Sequence, residues 1–452
     1  MTDQLPAFKA YDVRGKIPEE LNEELVYKIG LSYANLVKPS GKIVTGRDIR
    51  DSSPQLQRAL NDGLCAGGVN VVDAGLCGTE TIYYGSSQEG ISGGLMVTAS
   101  HNPKGYNGIK PVLHGGRPLL GENGLVALKQ KIMDGDLKES SNKGSIEQRD
   151  FSEGYNQKIL SIVTPDEIPE LTVVANPGNG CAGPTAQKLF SKLNLNVVWV
   201  NEQPDETFPN GIPNPLLPEN RKSTQDAVIN SGADMGIAWD GDFDRCFFFD
   251  HEGSFIEGYY LVGVLAQSAL AANPGASIIH DPRLYWNTID VVEKSGGKAI
   301  MSKTGHAFIK ESMRKEDAVY GGEMSAHHYF KDFSYCDSGM IPWLLLLRNM
   351  KKQKLSLKEM VEERQNLYPC SGEINFKVED APKIIDRICN HYRPKSSLED
   401  ATDGISFEFN KDWRFNLRSS NTEPLLRLNV ESSNDNDLMV EKTAEIEDMI
   451  KT

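Results

Sequence analysis

The hexapeptide Asp240-Gly241-Asp242-Phe243-Asp244-Arg245 sets three carboxylates at alternate positions directly after the apolar run Met235-Gly236-Ile237-Ala238. Read as an extended segment, it points all three the same way, and like charges so close repel unless a cation sits among them. Oxygen-only ligands suit a hard ion, and few protein ligands plus a phosphate oxygen suit Mg2+. A helix-loop-helix calcium loop starts similarly but needs Gly sixth and Glu twelfth, where this chain has Arg245 and His251. The plain alternative is a solvated acidic turn.

Thr98-Ala99-Ser100-His101-Asn102-Pro103 follows another apolar run, and its Asn-Pro turn presents Ser100. A serine there is a candidate nucleophile, for acyl transfer with a His base or for phosphoryl transfer through a phosphoserine. No Gly-x-Ser-x-Gly elbow is present, and neighbouring side chains on an extended segment point apart, which makes His101 a poor direct base for Ser100. Phosphoryl transfer fits better, because a phosphate on Ser100 supplies the metal ligand that Asp240, Asp242 and Asp244 leave open.

Two further loops have binding chemistry. Arg418-Ser419-Ser420-Asn421-Thr422-Glu423-Pro424 combines a guanidinium, hydroxyls and an amide, either as a phosphate cradle or as a polar hairpin loop. Gly321-Gly322-Glu323-Met324-Ser325-Ala326-His327 sets Glu323 and Ser325 two apart, and a carboxylate can accept from two neighbouring sugar hydroxyls. A helix cap is the duller role for Ser325. His306, in Lys303-Thr304-Gly305-His306, follows a strand of the same block and is a candidate for the same site.

These loops need scaffolds, and three stretches repeat one rhythm of β-branched runs and helical segments. The runs are 42–45, 69–72 and 95–98, then 171–174, 197–200 and 235–238, then 277–279, 299–301 and 318–320. They predict α/β layers with largely parallel strands, whose carboxyl ends gather ligands. From Tyr368 on, 373–376, 405–409, 413–417 and 426–430 alternate with period two as antiparallel strands, and a final helix carries Leu438, Ile446, Met449 and Ile450. The predicted domains are 1–150, 151–256, 257–367 and 368–452, with Glu139 to Arg149 linking the first two and Gln365 to Pro369 the last two.

At 452 residues the chain exceeds a single hydrophobic core, and 39% hydrophobic with 25% charged residues is a globular balance. A net charge of -15 disfavours nucleic acid and anionic membranes as partners. No run approaches the ~20 apolar residues of a membrane span, and the start lacks a signal-peptide pattern, so a cytoplasmic enzyme is expected. Seven cysteines without a Cys-x-x-Cys pair predict buried thiols rather than a zinc site or a disulfide framework.

With these loops in this order, and with Phe8-Lys9-Ala10-Tyr11-Asp12-Val13-Arg14-Gly15 ahead of them, the whole chain resembles the α-D-phosphohexomutase superfamily, most of all its bacterial phosphomannomutase branch. The resemblance implies three related α/β domains with mixed, largely parallel sheets and a C-terminal α+β domain around a central cleft. It implies Ser100 as phosphoserine and Asp240, Asp242 and Asp244 as Mg2+ ligands. Arg245 would stand near the transferring phosphoryl group, while His101, Lys110 and Arg14 support proton transfer and charge neutralisation. Glu323 and Ser325 would hold sugar hydroxyls, and Arg418, Ser420, Asn421 and Thr422 the phosphate that is not reacting. Arg283 and His327 carry over as further substrate contacts. The implied reaction interconverts mannose 6-phosphate and mannose 1-phosphate through a hexose 1,6-bisphosphate, with leakage to glucose phosphates, in a monomer or homodimer with a mobile fourth domain. The alternatives are a phosphoglucomutase or other phosphohexomutase, an aspartyl-phosphate phosphatase using Asp240, and a non-catalytic sugar-phosphate binder.

Overall fold

The computed structural model describes residues 5–120, 124–419 and 425–452. They form two compact units: the described residues up to Phe255 together with Tyr329–Lys352, and Ile256–His328 together with Gln353–Thr452.

The first unit begins with a mixed sheet in the order Val13–Lys16, Tyr106–Leu113, Ile91–Val97, Lys42–Arg47, Val71–Leu76, Ile146–Gln148. The last four strands pair in parallel, while Tyr106–Leu113 runs antiparallel to both of its neighbours. Helices Glu23–Val37 and Ser53–Ala66 pack against each other at two glycines. A Cβ on Gly30 would lie 2.5 Å from Leu60 O, and one on Gly63 2.1 Å from Tyr27 O, so only glycine allows the approach. The expected linker Glu139–Arg149 ends as a sheet edge: Ile146–Gln148 pairs with Val71–Leu76, and Glu147 bridges to Lys42 and Arg149 at 2.7 Å. Charge had hidden a strand, which is how exposed edges are protected from further pairing.

A second sheet joins Leu195–Trp199, Leu171–Asn176 and Met235–Trp239 in parallel, with Cys246–Phe249 returning antiparallel to Met235–Trp239. Those last two strands are buried along their whole length, so their apolar runs are continuous rather than alternating. The helix Ile341–Gln353 also belongs to this unit as far as Lys352. Trp343 stacks on Phe190 with centroids 4.5 Å apart, and Lys351 Nζ donates to Ile168 O.

In the second unit Lys298–Met301, Ser277–His280 and Tyr320–Gly322 pair in parallel. Its C-terminal part is an antiparallel sheet ordered Ile374–Lys377, Leu425–Ser432, Trp413–Ser419, Ile405–Phe409, Leu398–Asp400. Helices Ala381–Tyr392 and Asn436–Lys451 cover one face, where Ile388, Tyr392, Ile446 and Ile450 meet Phe407, Phe415, Leu428 and Val430. Each large side chain buried there contributes about 1.5–3 kcal/mol. The two parts of this unit meet at a fully buried ion pair, Arg414 Nη1 to Glu431 at 2.7 Å. Tyr259 Oη and Tyr285 N also donate to Glu431, and Arg414 donates to Pro282 O and Arg283 O, so neither charge is left uncompensated.

Candidate active site

Met235–Trp239 ends at Asp240, and the chain turns back at once into Cys246–Phe249. The six residues between are a tight turn rather than an extended segment: Phe243 takes φ 49° and its N–H donates to Asp240 O. The turn, not strand alternation, brings oxygens of Asp240, Asp242 and Asp244 within 4.8 Å of one another. All three side chains are buried. Gly78 and Thr79 hold the turn from outside. A Cβ on Gly78 would lie 2.0 Å from Phe243 Cε1, and Thr79 gives Asp242 two hydrogen bonds, N–H to O at 3.1 Å and Oγ1 to Oδ2 at 2.5 Å.

Ser100 follows Ile91–Val97 and takes φ 50°. The left-handed conformation turns Ser100 Oγ and His101 Nδ1 to the same side, 3.1 Å apart, which corrects the expectation that they diverge. Ser100 Oγ donates to Asp240 Oδ2 at 2.7 Å, and Arg245 Nη2 lies 3.3 Å from the same hydroxyl. Arg245 also donates to Asp240 Oδ2 and touches His101 Nδ1. Lys110 Nζ bridges Asp242 Oδ2 and Asp244 Oδ2, each at 2.6 Å. Arg14 pairs with Asp12 at 2.7 Å and donates to Asn102 Oδ1. Arg50 closes the loop from behind, donating to the carbonyls of Ser100, Asn102, Pro103 and Tyr106.

The electrostatics are those of a cation site. Burial, followed by the charge of Asp242, raises Asp244 above the usual carboxylate range. Burial would raise Asp242 too, but Lys110 and the Thr79 hydrogen bond hold it well below that range. Asp242 Oδ1 is buried and has no hydrogen-bond partner among the described residues. Three clustered carboxylates with an oxygen left without a partner among the described residues fit a hard divalent ion, and Ser100 Oγ stands 2.7 Å from Asp240 Oδ2 beside them.

In the second unit Glu323 ends Tyr320–Gly322 and opens a turn in which its N–H donates to His327 O and Ala326 takes φ 69°. Arg283 gathers this loop. Its Nη2 lies 3.1 Å from Ser325 Oγ, 3.6 Å from Glu323 Oε1 and 2.6 Å from Asp281 Oδ2. His327 Nδ1 is 3.4 Å from Glu323 Oε2, and Gly305 N, just before His306 and its helix His306–Lys315, donates to Glu323 Oε1. Arg418, at the end of Trp413–Ser419, shares Glu373 with Arg283. The structure thus brings Glu323, Ser325, His327, Arg283 and Arg418 together. Ser420, Asn421 and Thr422 lie outside the described residues.

Four domain families match the chain in order. They are the phosphoglucomutase/phosphomannomutase alpha/beta/alpha domains I, II and III, at residues 6–135, 153–253 and 257–368, and the C-terminal domain at 373–449. The chain belongs to the phosphoglucomutase/phosphomannomutase family. A phosphomannomutase of Vibrio cholerae is 51% identical over 463 residues, covering 99% of each chain. One of Escherichia coli K12 is 51% identical over 97% of this chain and 98% of its own. A protein of Xanthomonas campestris named for phosphohexose mutases is 52% identical over 99% of each. Among solved structures, a phosphoglucomutase/phosphomannomutase family protein from Burkholderia thailandensis superposes with a TM-score of 0.88 at 31% identity, over 99% of this chain and 97% of that one.

Within this phosphohexomutase chain, sequence reasoning missed Thr79, Arg50, Asp281 and Glu373. Arg50 lies in the short turn after Lys42–Arg47, and Thr79 opens the helix Thr79–Ser86 just beyond the end of Val71–Leu76, so strand ends gave a signal for them. Glu373 gave none, since its three arginines come from distant positions. Met324 is buried, with its Sδ accepting from Asn429, so it shapes the loop from inside.

Proposed function

We propose that this phosphohexomutase interconverts mannose 6-phosphate and mannose 1-phosphate, with Ser100 carrying the phosphoryl group between them. The observation that supports this most is the hydroxyl of Ser100 at 2.7 Å from Asp240, inside a buried carboxylate cluster. A phosphatase using Asp240 as nucleophile is favoured less, because Asp240 Oδ2 already accepts from Ser100 and Arg245. In that mechanism the serine would have no role.

Asp240, Asp242, Asp244 and phosphorylated Ser100 would hold Mg2+, which supplies Lewis-acid charge neutralisation at the transferring phosphoryl group. The chain's own groups do the rest. The substrate hydroxyl forms a bond to phosphorus as the Ser100 Oγ–phosphorus bond breaks, and the proton it loses passes to Ser100 Oγ, giving a hexose 1,6-bisphosphate and a free serine. His101 Nδ1, 3.1 Å from Ser100 Oγ, is placed to relay that proton. Arg245 neutralises charge on the equatorial oxygens. Burial opposes the positive charge of Lys110 and the carboxylates of Asp242 and Asp244 restore it, so Lys110 supplies a cation beside the reacting groups and, with Arg14, would support charge neutralisation and proton transfer. Glu323, Ser325, His327 and the helix opening at His306 would orient sugar hydroxyls, while Arg283 and Arg418, with Ser420, Asn421 and Thr422, hold the phosphate that is not reacting. The bisphosphate then reverses its orientation and returns its other phosphoryl group to Ser100.

No helix among the described residues is long and apolar enough to cross a membrane. A cytoplasmic monomer or homodimer supplying mannose 1-phosphate for GDP-mannose and polysaccharide synthesis fits this reading. The test is a panel of mannose, glucose and glucosamine phosphates with Mg2+ and trace hexose 1,6-bisphosphate, run on the wild type and Ser100→Ala. The mutase reading expects the variant to lose roughly three orders of magnitude or more. Near-normal turnover in the variant would favour the phosphatase, and glucosamine 6-phosphate as best substrate would overturn the mannose preference.

A further inference from the structure

The arginines of the second unit make two kinds of contact. Arg283 is fixed on its inner side: Asp281 Oδ2 lies 2.6 Å from Nη2, and its own carbonyl accepts from Arg414 Nη1 at 2.7 Å. Arg414 is itself paired with Glu431 at 2.7 Å. The contacts to Glu373 are longer. Its Oε2 is 3.2 Å from Arg283 Nη1 and 3.3 Å from Arg418 Nη2, and its Oε1 is 3.4 Å from Arg427 Nη1. Charge-assisted N–H···O bonds settle near about 2.7–2.9 Å when a pair is optimised. One carboxylate is therefore stretched over three guanidinia and fits none of them closely.

A second observation points the same way. Arg418 Nε belongs to a side chain only 4% exposed, yet it has no acceptor among the described residues. A buried guanidinium donor without a partner is costly, all the more when it is charged, unless a ligand satisfies it. A phosphate monoester offers up to two negative charges and three terminal oxygens, which match a group of guanidinia better than one carboxylate does.

We propose that Glu373 is the resident counter-ion of the phosphate cradle, holding Arg283, Arg418 and Arg427 together between turnovers and giving up its place among them to the phosphate of a hexose phosphate. This rests on the reading of Arg418 and its loop as the phosphate-binding element. Asp281 offsets part of the charge of Arg283 and Asp403, at 3.9 Å, part of that of Arg418, and Glu373 adds the negative charge shared by all three arginines. With it they stay clustered, but an incoming phosphate must displace the carboxylate, which weakens net binding and speeds release. For an intermediate that must let go of one phosphate and present the other, such exchange matters more than tight binding. Burial opposes the charge of Glu373, while Arg427, Arg283 and Arg418 keep its carboxyl below the usual range, so the counter-ion is ionised at neutral pH.

The experiment is calorimetric titration of the full chain with inorganic phosphate, for wild type, Glu373→Gln, Glu373→Asp and Arg418→Ala, with a melting curve for each and KM and kcat for mannose 1-phosphate. Glu373→Gln is expected to bind phosphate roughly five- to tenfold more tightly, because the competing state is gone. Its KM should fall and its kcat should fall with it, as release slows. Glu373→Asp should shift the same way by less, and decides the matter if the Gln variant lacks a cooperative melt. Phosphate affinity equal to or below wild type in a folded variant overturns the proposal, as does failure of both variants to fold. If Arg418→Ala leaves phosphate affinity unchanged, the cradle reading itself fails. If it loses affinity while the Glu373 variants gain none, only the counter-ion role falls.

Discussion

Thr79 and Asp242 stand 163 positions apart in the chain, and the Thr79 hydroxyl donates to Asp242 Oδ2 at 2.5 Å. With Lys110 Nζ on the same Oδ2, Asp242 Oδ1 keeps no hydrogen-bond partner among the described residues and is available to the proposed cation. Groups that orient a metal ligand typically account for about 10–100-fold in metal affinity or activity when removed. Thr79→Val keeps the shape and deletes the donor. It should raise the Mg2+ concentration needed for half-maximal rate by about that factor, with little change in KM for the sugar phosphate. A Mg2+ titration of the initial rate checks this.

Gly78 tests the packing beneath the same turn. A methyl there would sit 2.0 Å from the Phe243 ring, and Phe243 is fully buried. Overpacking of this kind costs about 1–3 kcal/mol. Gly78→Ala should therefore lower the urea midpoint and depress turnover together, because relief requires the acidic turn to move.

Glu80 gives a pH dependence with a definite sign. It is fully buried and accepts from Tyr155 Oη, Ser338 Oγ, Gly339 N and Met340 N. Burial pushes its carboxyl up from 4.5 to about 8 despite those donors. Between these two values the folded state holds a proton that the unfolded state has released, so the contribution of Glu80 to stability is complete below about pH 4.5 and is lost as pH rises through about 8. The stability difference between wild type and Glu80→Gln should decline over that window, by at most about 1.4 kcal/mol per pH unit. Urea melts from pH 5 to 9 measure it, and a constant difference would contradict the assignment.

The pair Arg414–Glu431 makes a different prediction. Both side chains are fully buried, so removing one leaves the other charge without compensation, at about 3–5 kcal/mol. Arg414→Met should show that loss in chemical denaturation. Arg414→Met combined with Glu431→Leu should recover much of it, since an apolar pair of similar volume avoids the desolvation cost.

What the sequence disclosed follows from where the signals are local. Runs ending at Ala238, Thr98 and Tyr320 announced strands, and Asp240, Ser100 and Glu323 duly follow Met235–Trp239, Ile91–Val97 and Tyr320–Gly322. Backbone turns were not legible. Positive φ at Ser100 and Phe243 decides which side chains face each other, and neither residue is one that advertises that conformation. Tyr106–Leu113, interrupted by Gly108, Lys110 and Pro111, did not read as a strand, although it carries Lys110 to the carboxylates. The helix Ile341–Gln353 lies within the predicted third domain, and its stacking of Trp343 on Phe190 is a long-range pairing that no local signal announces. Contacts such as Glu373 with its arginines depend on tertiary convergence, which periodicity does not encode.

Whether Ser100 carries the phosphoryl group is decided by locating the phosphate. The purified chain, equilibrated with hexose 1,6-bisphosphate and Mg2+, is analysed by intact mass and by peptide mapping under acid. The account predicts one acid-stable phosphate per chain on the peptide containing Ser100. An acid-stable, hydroxylamine-resistant phosphate elsewhere, none at all, or a hydroxylamine-labile one on the peptide containing Asp240 would contradict that role.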